Sequence, residues 1–249
     1  MPGAGATTTI DAVPTIDYHE HLRELPRTQW PGYLSEHSGL PGPRANLALL
    51  HAVGDLADPS MLDTLISSDD EYLLACGVAG LGGRLAAGGD VAIGRMHAFA
   101  SDSRWRVREA VAMAIQRFGD DSPARAGSLA VDWAADPDPL VRRAAVAGIC
   151  EPRLLRTPAM AALAIRACQL ATESLAGESL STTPPADAPA GREARRVLRQ
   201  ALGYCWSVAI AADPEPGLIA FAVLRTNPDP DVRWVVRENL GKKRLARLL

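Results

Sequence analysis

Apolar residues recur along this chain with the period of an α-helix, most clearly between Ser101 and Phe118. Counted from an anchor residue, the positions at offsets 0, 3, 4, 7 and 8 are mostly apolar or small, and these offsets define one face of a helix. Valine, isoleucine and threonine do not form the alternating runs that are typical of β-strands. The pattern therefore predicts an all-α fold. The five anchors are Leu74, Val107, Val141, Leu198 and Val232.

The anchors are separated by 33, 34, 57 and 34 residues. A period of about 34 residues is typical of a repeat of two helices, one carrying the anchor and one packing beside it. The long interval contains residues 177–191, GESLSTTPPADAPAG, which have no helical period and predict a flexible loop inserted in the array. Partner helices are predicted over 89–100, 122–135, 160–171 and 215–224.

The N-terminal part of the chain has a different character. Residues 1–13 are small and polar, and they predict a disordered segment. Residues 14–42 contain a predicted short helix over 17–25 and then several large apolar residues, among them Trp30. We expect this region to form a cap that covers the open end of a helical stack. Two further helices are predicted over 44–57 and 60–67.

A turn that contains aspartate precedes the anchor in three of the copies, and an arginine follows each of those anchors directly. Aspartate favours helix N-termini because its carboxylate accepts hydrogen bonds from free backbone N–H groups. In two of the copies, proline ends the preceding helix and fits the first turn of the next one. The turn aspartates and helix arginines are Asp102 with Arg108, Asp136 with Arg142, and Asp229 with Arg233.

This combination of an aspartate turn and a following Val-Arg pair resembles the HEAT-repeat family in its short bacterial form, over residues 44–249. The resemblance implies that each repeat is a pair of antiparallel helices. It also implies that the repeats stack into a curved α-solenoid, as a single domain over residues 14–249. In that family the turn aspartate and the helix arginine form a ladder between neighbouring repeats. The copies that carry the resemblance are 102–115, 136–149 and 229–240, with a weaker copy at 69–82.

Composition and charge limit the function further. Residues 1–100 have 5 basic and 12 acidic side chains, whereas residues 190–249 have 11 basic and 6 acidic ones, so the C-terminal part would suit an anionic partner. The four cysteines each lie alone in an apolar helical pattern, which predicts buried, reduced thiols. No secretion signal is recognisable and no apolar run is long enough to span a bilayer. We therefore expect a cytoplasmic protein with no membrane partner.

The sequence has none of the common motifs that bind phosphate, activate a serine nucleophile or hold a metal. Its glycine-rich runs lack the Gly-Lys-Ser/Thr ending of a phosphate-binding loop. His19 and His21 are two residues apart on a predicted helix, where their side chains diverge by about 200° and cannot readily share one ion. We therefore predict no metal, no cofactor and no catalytic residue, and the sequence favours a non-catalytic protein.

We expect an interaction protein whose concave face binds another protein or a peptide, because solenoids offer extended concave surfaces. The candidates for binding are residues particular to one repeat rather than shared by all. They are aromatic side chains and their charged neighbours: Arg104, Trp105, Arg106, Glu109, Trp133, Arg199, Trp206, Trp234 and Arg237.

A nucleic-acid partner is the alternative. The DNA alkylation-repair glycosylases are built from HEAT-like repeats and hold alkylated purines with aromatic and acidic side chains on a basic concave face. Residues 195–206, RRVLRQALGYCW, are loosely similar to helices of that family, and the resemblance implies bases stacked on tryptophans beside arginines. The net charge of −3 argues against DNA. The alternatives differ in whether Trp206, Trp234 and the C-terminal basic residues share one exposed face.

Overall fold

The computed structural model describes residues 16–180 and 189–249, and helices are the only regular secondary structure among them. The predicted all-α class is therefore confirmed for the described part of the chain. One 3₁₀ turn, Arg27–Gln29, lies between the first two α-helices. The α-helices are α1 Tyr18–Glu24, α2 Trp30–Glu36, α3 Leu47–Leu56, α4 Pro59–Ile66, α5 Glu71–Ala86, α6 Val91–Ala100, α7 Trp105–Asp121, α8 Pro123–Ala134, α9 Pro139–Ile149, α10 Pro158–Leu180, α11 Pro189–Ala212, α12 Pro214–Leu224, α13 Pro230–Leu240 and α14 Lys243–Ala246.

Several of these helices begin at a side chain that accepts a hydrogen bond from a first-turn amide. The predicted capping role is confirmed for Asp229 before α13, and in the copy that contains Asp136 the capping residue is Asp138, two residues further on. Asp102 behaves differently, because its carboxylate accepts from the amide of Arg104, the residue before α7, and so closes the turn instead of capping the helix. The capping residues are Asp17, Asn46, Asp58, Asp70, Asp138 and Asp229.

The helices that carry the anchors contact one another in chain order: α5 contacts α7, α7 contacts α9, α9 contacts α11 and α11 contacts α13. The helices α8, α10 and α12 form a second line of contacts, and each of them also packs against an anchor helix. At the N-terminal end α3 and α4 both pack against α5. All five anchor side chains are buried in the apolar core. The period of the sequence therefore corresponds to one anchor helix and one partner helix.

Small residues in the repeat allow neighbouring anchor helices to approach closely. A Cβ atom on Gly148 of α9 would lie 2.6 Å from Cβ of Ile115 on α7. A Cβ atom on Gly82 of α5 would clash with the backbone carbonyl of Ala114 on α7. Any side chain at these two positions would force the helices apart, which explains why glycine occupies them.

The N-terminal helix predicted over 17–25 is confirmed by α1. In α2 the side chains of Trp30 and Leu34 are fully buried, and this helix packs against α5. The disordered segment predicted over 1–13 lies outside the described residues.

The loop predicted over residues 177–191 is wrong at both ends, because α10 continues to Leu180 and α11 already begins at Pro189. A proline at the start of a helix does not interrupt it, since the missing N–H has no helical partner there. The middle of the predicted loop, residues 181–188, lies outside the described residues.

The four cysteines, Cys76, Cys150, Cys168 and Cys205, are buried free thiols, as the sequence predicts. Burial raises the pKa of the Cys76 and Cys168 thiols above its ordinary value. None of the described helices is both long and apolar enough to cross a bilayer.

Candidate functional site

A cleft of about 460 Å³ lies where α3 and α7 flank α5. Its lining comes from the segment before α3, from one face of α3, from the first turns of α5 and from α7. Most of the lining side chains are apolar, and the polar ones are concentrated on α7 and at the start of α3. They are Pro43, Arg44, Ala45, Leu47, Leu50, His51, Tyr72, Ala75, Trp105, Arg106, Glu109, Met113 and Gln116.

Two large apolar side chains at this cleft are open to solvent. Trp105, the first residue of α7, is 52% exposed, and Leu47, the first residue of α3, is 54% exposed. Between them, Tyr72 and Ala75 of α5 are buried and form the floor. The cleft therefore presents accessible apolar surface from two different helices above a packed base.

Hydrogen bonds fix the floor and the start of α3. The Tyr72 hydroxyl donates to the carbonyl oxygen of Asn46 at 2.6 Å, and the Asn46 side chain caps α3 through the amide of Leu49. The Asn46 Nδ2 group also donates to the Tyr18 hydroxyl at 2.9 Å and to the His37 carbonyl at 3.0 Å. These bonds saturate the polar groups beneath Leu47, so the apolar rim is held in place without a ligand.

A cluster of charged residues joins α3 directly to α7 at the other end of the cleft. Arg117 of α7 pairs with Asp55 of α3 and donates to the His51 carbonyl at 3.1 Å. Asp55 also accepts from Nε2 of His19 at 2.8 Å. Partial desolvation alone would raise the pKa of Asp55, but the hydrogen bonds from Arg117 and His19 outweigh it and lower that pKa below its ordinary value.

The histidine in the cleft, His51, has a pKa below its ordinary value. Desolvation lowers the pKa of His51, and the positive charge of Arg117 lowers it further. A neutral imidazole offers one hydrogen-bond donor and one acceptor to a ligand.

The charged side chains that line the cleft differ in their partners. Arg106 pairs with Glu71 of α5 at 3.1 Å, and its guanidinium lies 4.6 Å from the ring centroid of Trp105. Glu109 pairs with Arg143 of α9. Arg44 forms no hydrogen bond or ion pair through its side chain with any residue in the described part of the chain. Within the described ranges, the cleft thus contains two neutralised pairs and one cation, Arg44, that lacks a counter-charge.

The ladder between neighbouring repeats that the resemblance implies is not formed by Asp102 or Arg108. The Asp102 carboxylate pairs with Arg104 at 2.9 Å, because it is folded back onto its own turn. Arg108 donates instead to the backbone carbonyls of Asp102 and Ser103, at 2.6 and 2.9 Å. Its guanidinium therefore ties α7 to the preceding turn.

Of the other predicted ladder residues, those with side-chain hydrogen bonds contact either their own turn or a helix of the preceding repeat. The buried Arg142 donates to the Pro137 carbonyl at 3.2 Å, again within its own turn. Asp136 accepts from Nε2 of His97 at 2.7 Å and from the amide of Asp138. Asp229 caps α13, and Arg233 is exposed.

Ion pairs do join successive anchor helices, but they are formed by residues other than those predicted to form the ladder. Glu71, three residues before its anchor, pairs with Arg106, one residue before the next anchor. Arg195 and Asp231 occupy the same two repeat positions on α11 and α13, with the charges exchanged, and they pair at 2.7 Å. Arg199 also pairs with Asp231, at 2.6 Å.

Of the predicted binding residues, Trp105, Arg106 and Glu109 come together in the cleft, whereas Trp133 and Trp206 do not. Trp133 is 6% exposed and Trp206 is fully buried, with its Nε1 group donating to Thr172 Oγ1 at 3.0 Å. Both are packing residues, so their prediction as binding residues is wrong.

The remaining binding candidates lie elsewhere. Arg104 is paired with Asp102 in the turn before α7. Trp234 is half-buried beneath the guanidinium of Arg199, which lies 4.7 Å from its ring centroid, and Arg237 is exposed on the same helix.

The sequence does not single out several of the cleft residues. Leu47 shares the apolar pattern of the helix predicted over 44–57, and that pattern does not distinguish it from the buried positions of the helix. Arg44 stands at the start of the helix predicted over 44–57, whereas α3 begins at Leu47 and leaves Arg44 in the segment before it. Tyr72, Met113 and Gln116 carry no motif at all.

Comparison of the chain with models of known families, with curated proteins and with solved structures gave no match. Within the described ranges, no group of three or more His, Cys, Asp or Glu side chains is placed to hold a metal ion. Among the described residues, the cleft combines an accessible apolar rim, a floor fixed by hydrogen bonds, an imidazole and one arginine without a counter-charge.

Proposed function

We propose that this chain is a non-catalytic interaction protein of the HEAT-repeat type, an α-solenoid that binds a partner protein or peptide in the cleft between α3 and α7. The observation that carries the proposal is the exposure of Trp105 and Leu47 on either side of a floor that is already packed. The line of contacts from α5 to α13 supports the solenoid arrangement.

Exposed apolar side chains that cluster on one surface mark interaction sites in soluble proteins. Tryptophan is also over-represented among the residues that dominate binding energies at protein interfaces. Because hydrogen bonds and ion pairs hold the cleft open, a partner would not have to supply the free energy of ordering it. These features favour a protein or peptide ligand.

A nucleic-acid partner has less support. Trp133 and Trp206 are buried and therefore not accessible for stacking with bases. Arg195 and Arg199 share the carboxylate of Asp231, which reduces the positive charge that they would offer to phosphates.

Affinity capture from a lysate of the source cell tests the proposal. Wild-type protein should retain a partner that Leu47→Asp loses, because a charge at the rim would have to be desolvated on binding. Val91→Asp is the matched control, since Val91 is 84% exposed on α6 and does not line the cleft. Retention of the same proteins by all three forms would refute the cleft as the binding site.

A further inference from the structure

We infer that the segment bound in this cleft is an acidic peptide, one that carries a carboxylate beside a large apolar side chain. The inference rests on the proposed function, because it specifies the partner of the same cleft.

The charge inference comes from Arg44. The other two charged side chains of the lining, Arg106 and Glu109, already have partners of opposite charge on α5 and α9. Arg44 has none in the described part of the chain, and its side chain is exposed. A carboxylate can meet the planar guanidinium with two parallel hydrogen bonds, whereas a lysine or arginine of a ligand would be repelled. The bound segment is therefore acidic where it passes Arg44.

The apolar part of the ligand is set by Trp105 and Leu47. An aromatic or leucine side chain placed between them would cover both and would rest on Tyr72 and Ala75 below. Burial of such a side chain makes the free energy of binding more favourable, in proportion to the apolar area removed from water. Since Arg44 lies only three residues before Leu47 and both line the cleft, the carboxylate and the apolar side chain belong to nearby positions of the ligand.

A peptide fits this cleft better than a small molecule does. Pockets for small molecules enclose most of the surface of their ligand. Here both rim residues, Trp105 and Leu47, are about half exposed, so a small ligand would remain largely open to water. A chain can leave the cleft on either side and still bury the rim.

Selection from a library of short random peptides displayed on phage tests this inference. The bait is the full-length wild-type chain, and peptides that also bind Leu47→Ala, which changes no charge, are removed. The enriched peptides should contain Asp or Glu within one or two positions of Phe, Trp, Tyr or Leu. The most enriched sequence is then synthesised and titrated against the purified variants.

The decisive variant is Arg44→Glu, which should weaken binding of the synthetic peptide by about tenfold or more. Arg225→Glu is the matched control, because Arg225 is an exposed arginine outside the cleft with no side-chain partner in the described chain, and it should bind as wild type does. A version of the peptide with Lys in place of its acidic residues should prefer Arg44→Glu to wild type. Circular dichroism melting of both variants checks that they are folded.

The outcomes separate this inference from the proposed function. Enriched peptides that are neutral or basic, or that bind Arg44→Glu as tightly as wild type, overturn the acidic ligand while leaving the cleft as a binding site. A library with no peptide dependent on Leu47 overturns both. Displacement of the bound peptide by indole-3-acetate at equally low concentration would instead indicate a small aromatic acid as the ligand and would also overturn the inference.

Discussion

Arg106 of α7 lies between two partners: its guanidinium pairs with Glu71 of α5 at 3.1 Å and covers the ring of Trp105 at 4.6 Å from the centroid. The ion pair that joins two successive anchor helices therefore also positions the most accessible tryptophan of the cleft. Arg195 and Asp231 form a pair in the same register at the other end of the array, with the charges exchanged. The two repeat positions thus keep opposite charges while the residue types vary.

Glu71 and Arg106 should show coupling in a double-mutant cycle. Both side chains are about four-fifths buried, so removal of either leaves a poorly solvated charge and should lower the free energy of unfolding by about 1–2 kcal/mol. Replacing both with alanine should cost less than the sum of the two single changes. Urea denaturation of the four proteins measures the cycle. Strictly additive effects would show that the interaction between the two side chains contributes nothing to stability.

The anchors should be intolerant of charge. Val107→Asp places a carboxylate at a fully buried position between α7 and its neighbours, and should lower the free energy of unfolding by about 3 kcal/mol or more. Val223→Asp, on α12 at a position that is 69% exposed, should change it by less than about 0.5 kcal/mol. Thermal melts followed by circular dichroism compare the two. Equal melting temperatures would contradict the burial of the anchor.

Two glycines in helices should respond to alanine in opposite directions. Gly148→Ala brings a Cβ atom to 2.6 Å from Ile115 and should destabilise the chain, because α7 and α9 must move apart. Gly94→Ala adds a methyl group to the interior of α6 with no atom within 4 Å, and should stabilise it by about 0.5–1 kcal/mol through helix propensity. Chemical denaturation tests both, and stabilisation by Gly148→Ala would contradict the close helix contact.

Asp55 should make the folded chain less stable as the solution becomes acidic. Its pKa in the folded chain lies below its ordinary value of 3.8, so the unfolded chain binds protons more readily and the free energy of unfolding decreases as the pH falls. The contribution is complete above about pH 5 and is lost as the pH falls through the depressed pKa. Asp55→Asn should therefore show a shallower loss of stability than wild type below about pH 4. Identical slopes for the two proteins would contradict the role of Arg117 and His19.

The period of the apolar residues was sufficient to predict the anchor helices, because helical geometry places residues with that spacing on one face, and this face is the one that becomes buried. It could also have assigned Trp206, which lies at offset 8 from its anchor and is buried, whereas Trp105 lies two residues before its anchor and is exposed. The error with Trp206 came from giving residue type more weight than position.

The cleft was harder to predict, because it depends on which helix ends are covered. Leu47 and Leu50 share the apolar pattern of α3, yet Leu50 is 3% exposed and Leu47 is 54% exposed. The difference arises from the way α3 packs against α1 and α5, which covers the second position and leaves the first open. The exposure of Leu47 depends on the lengths and relative placement of three helices. The pattern of one segment of sequence cannot predict that placement.

Site-specific photo-crosslinking tests the central claim most directly. p-Benzoylphenylalanine is placed at position 47 in the cleft and, in a second protein, at position 223 on α12, which is at least as exposed. After irradiation in the source cell, the probe at position 47 should give a discrete crosslinked protein that disappears when Trp105→Ala is added, and the probe at position 223 should not give it. Crosslinks to the same protein from both positions, or from position 223 alone, would contradict binding in the cleft.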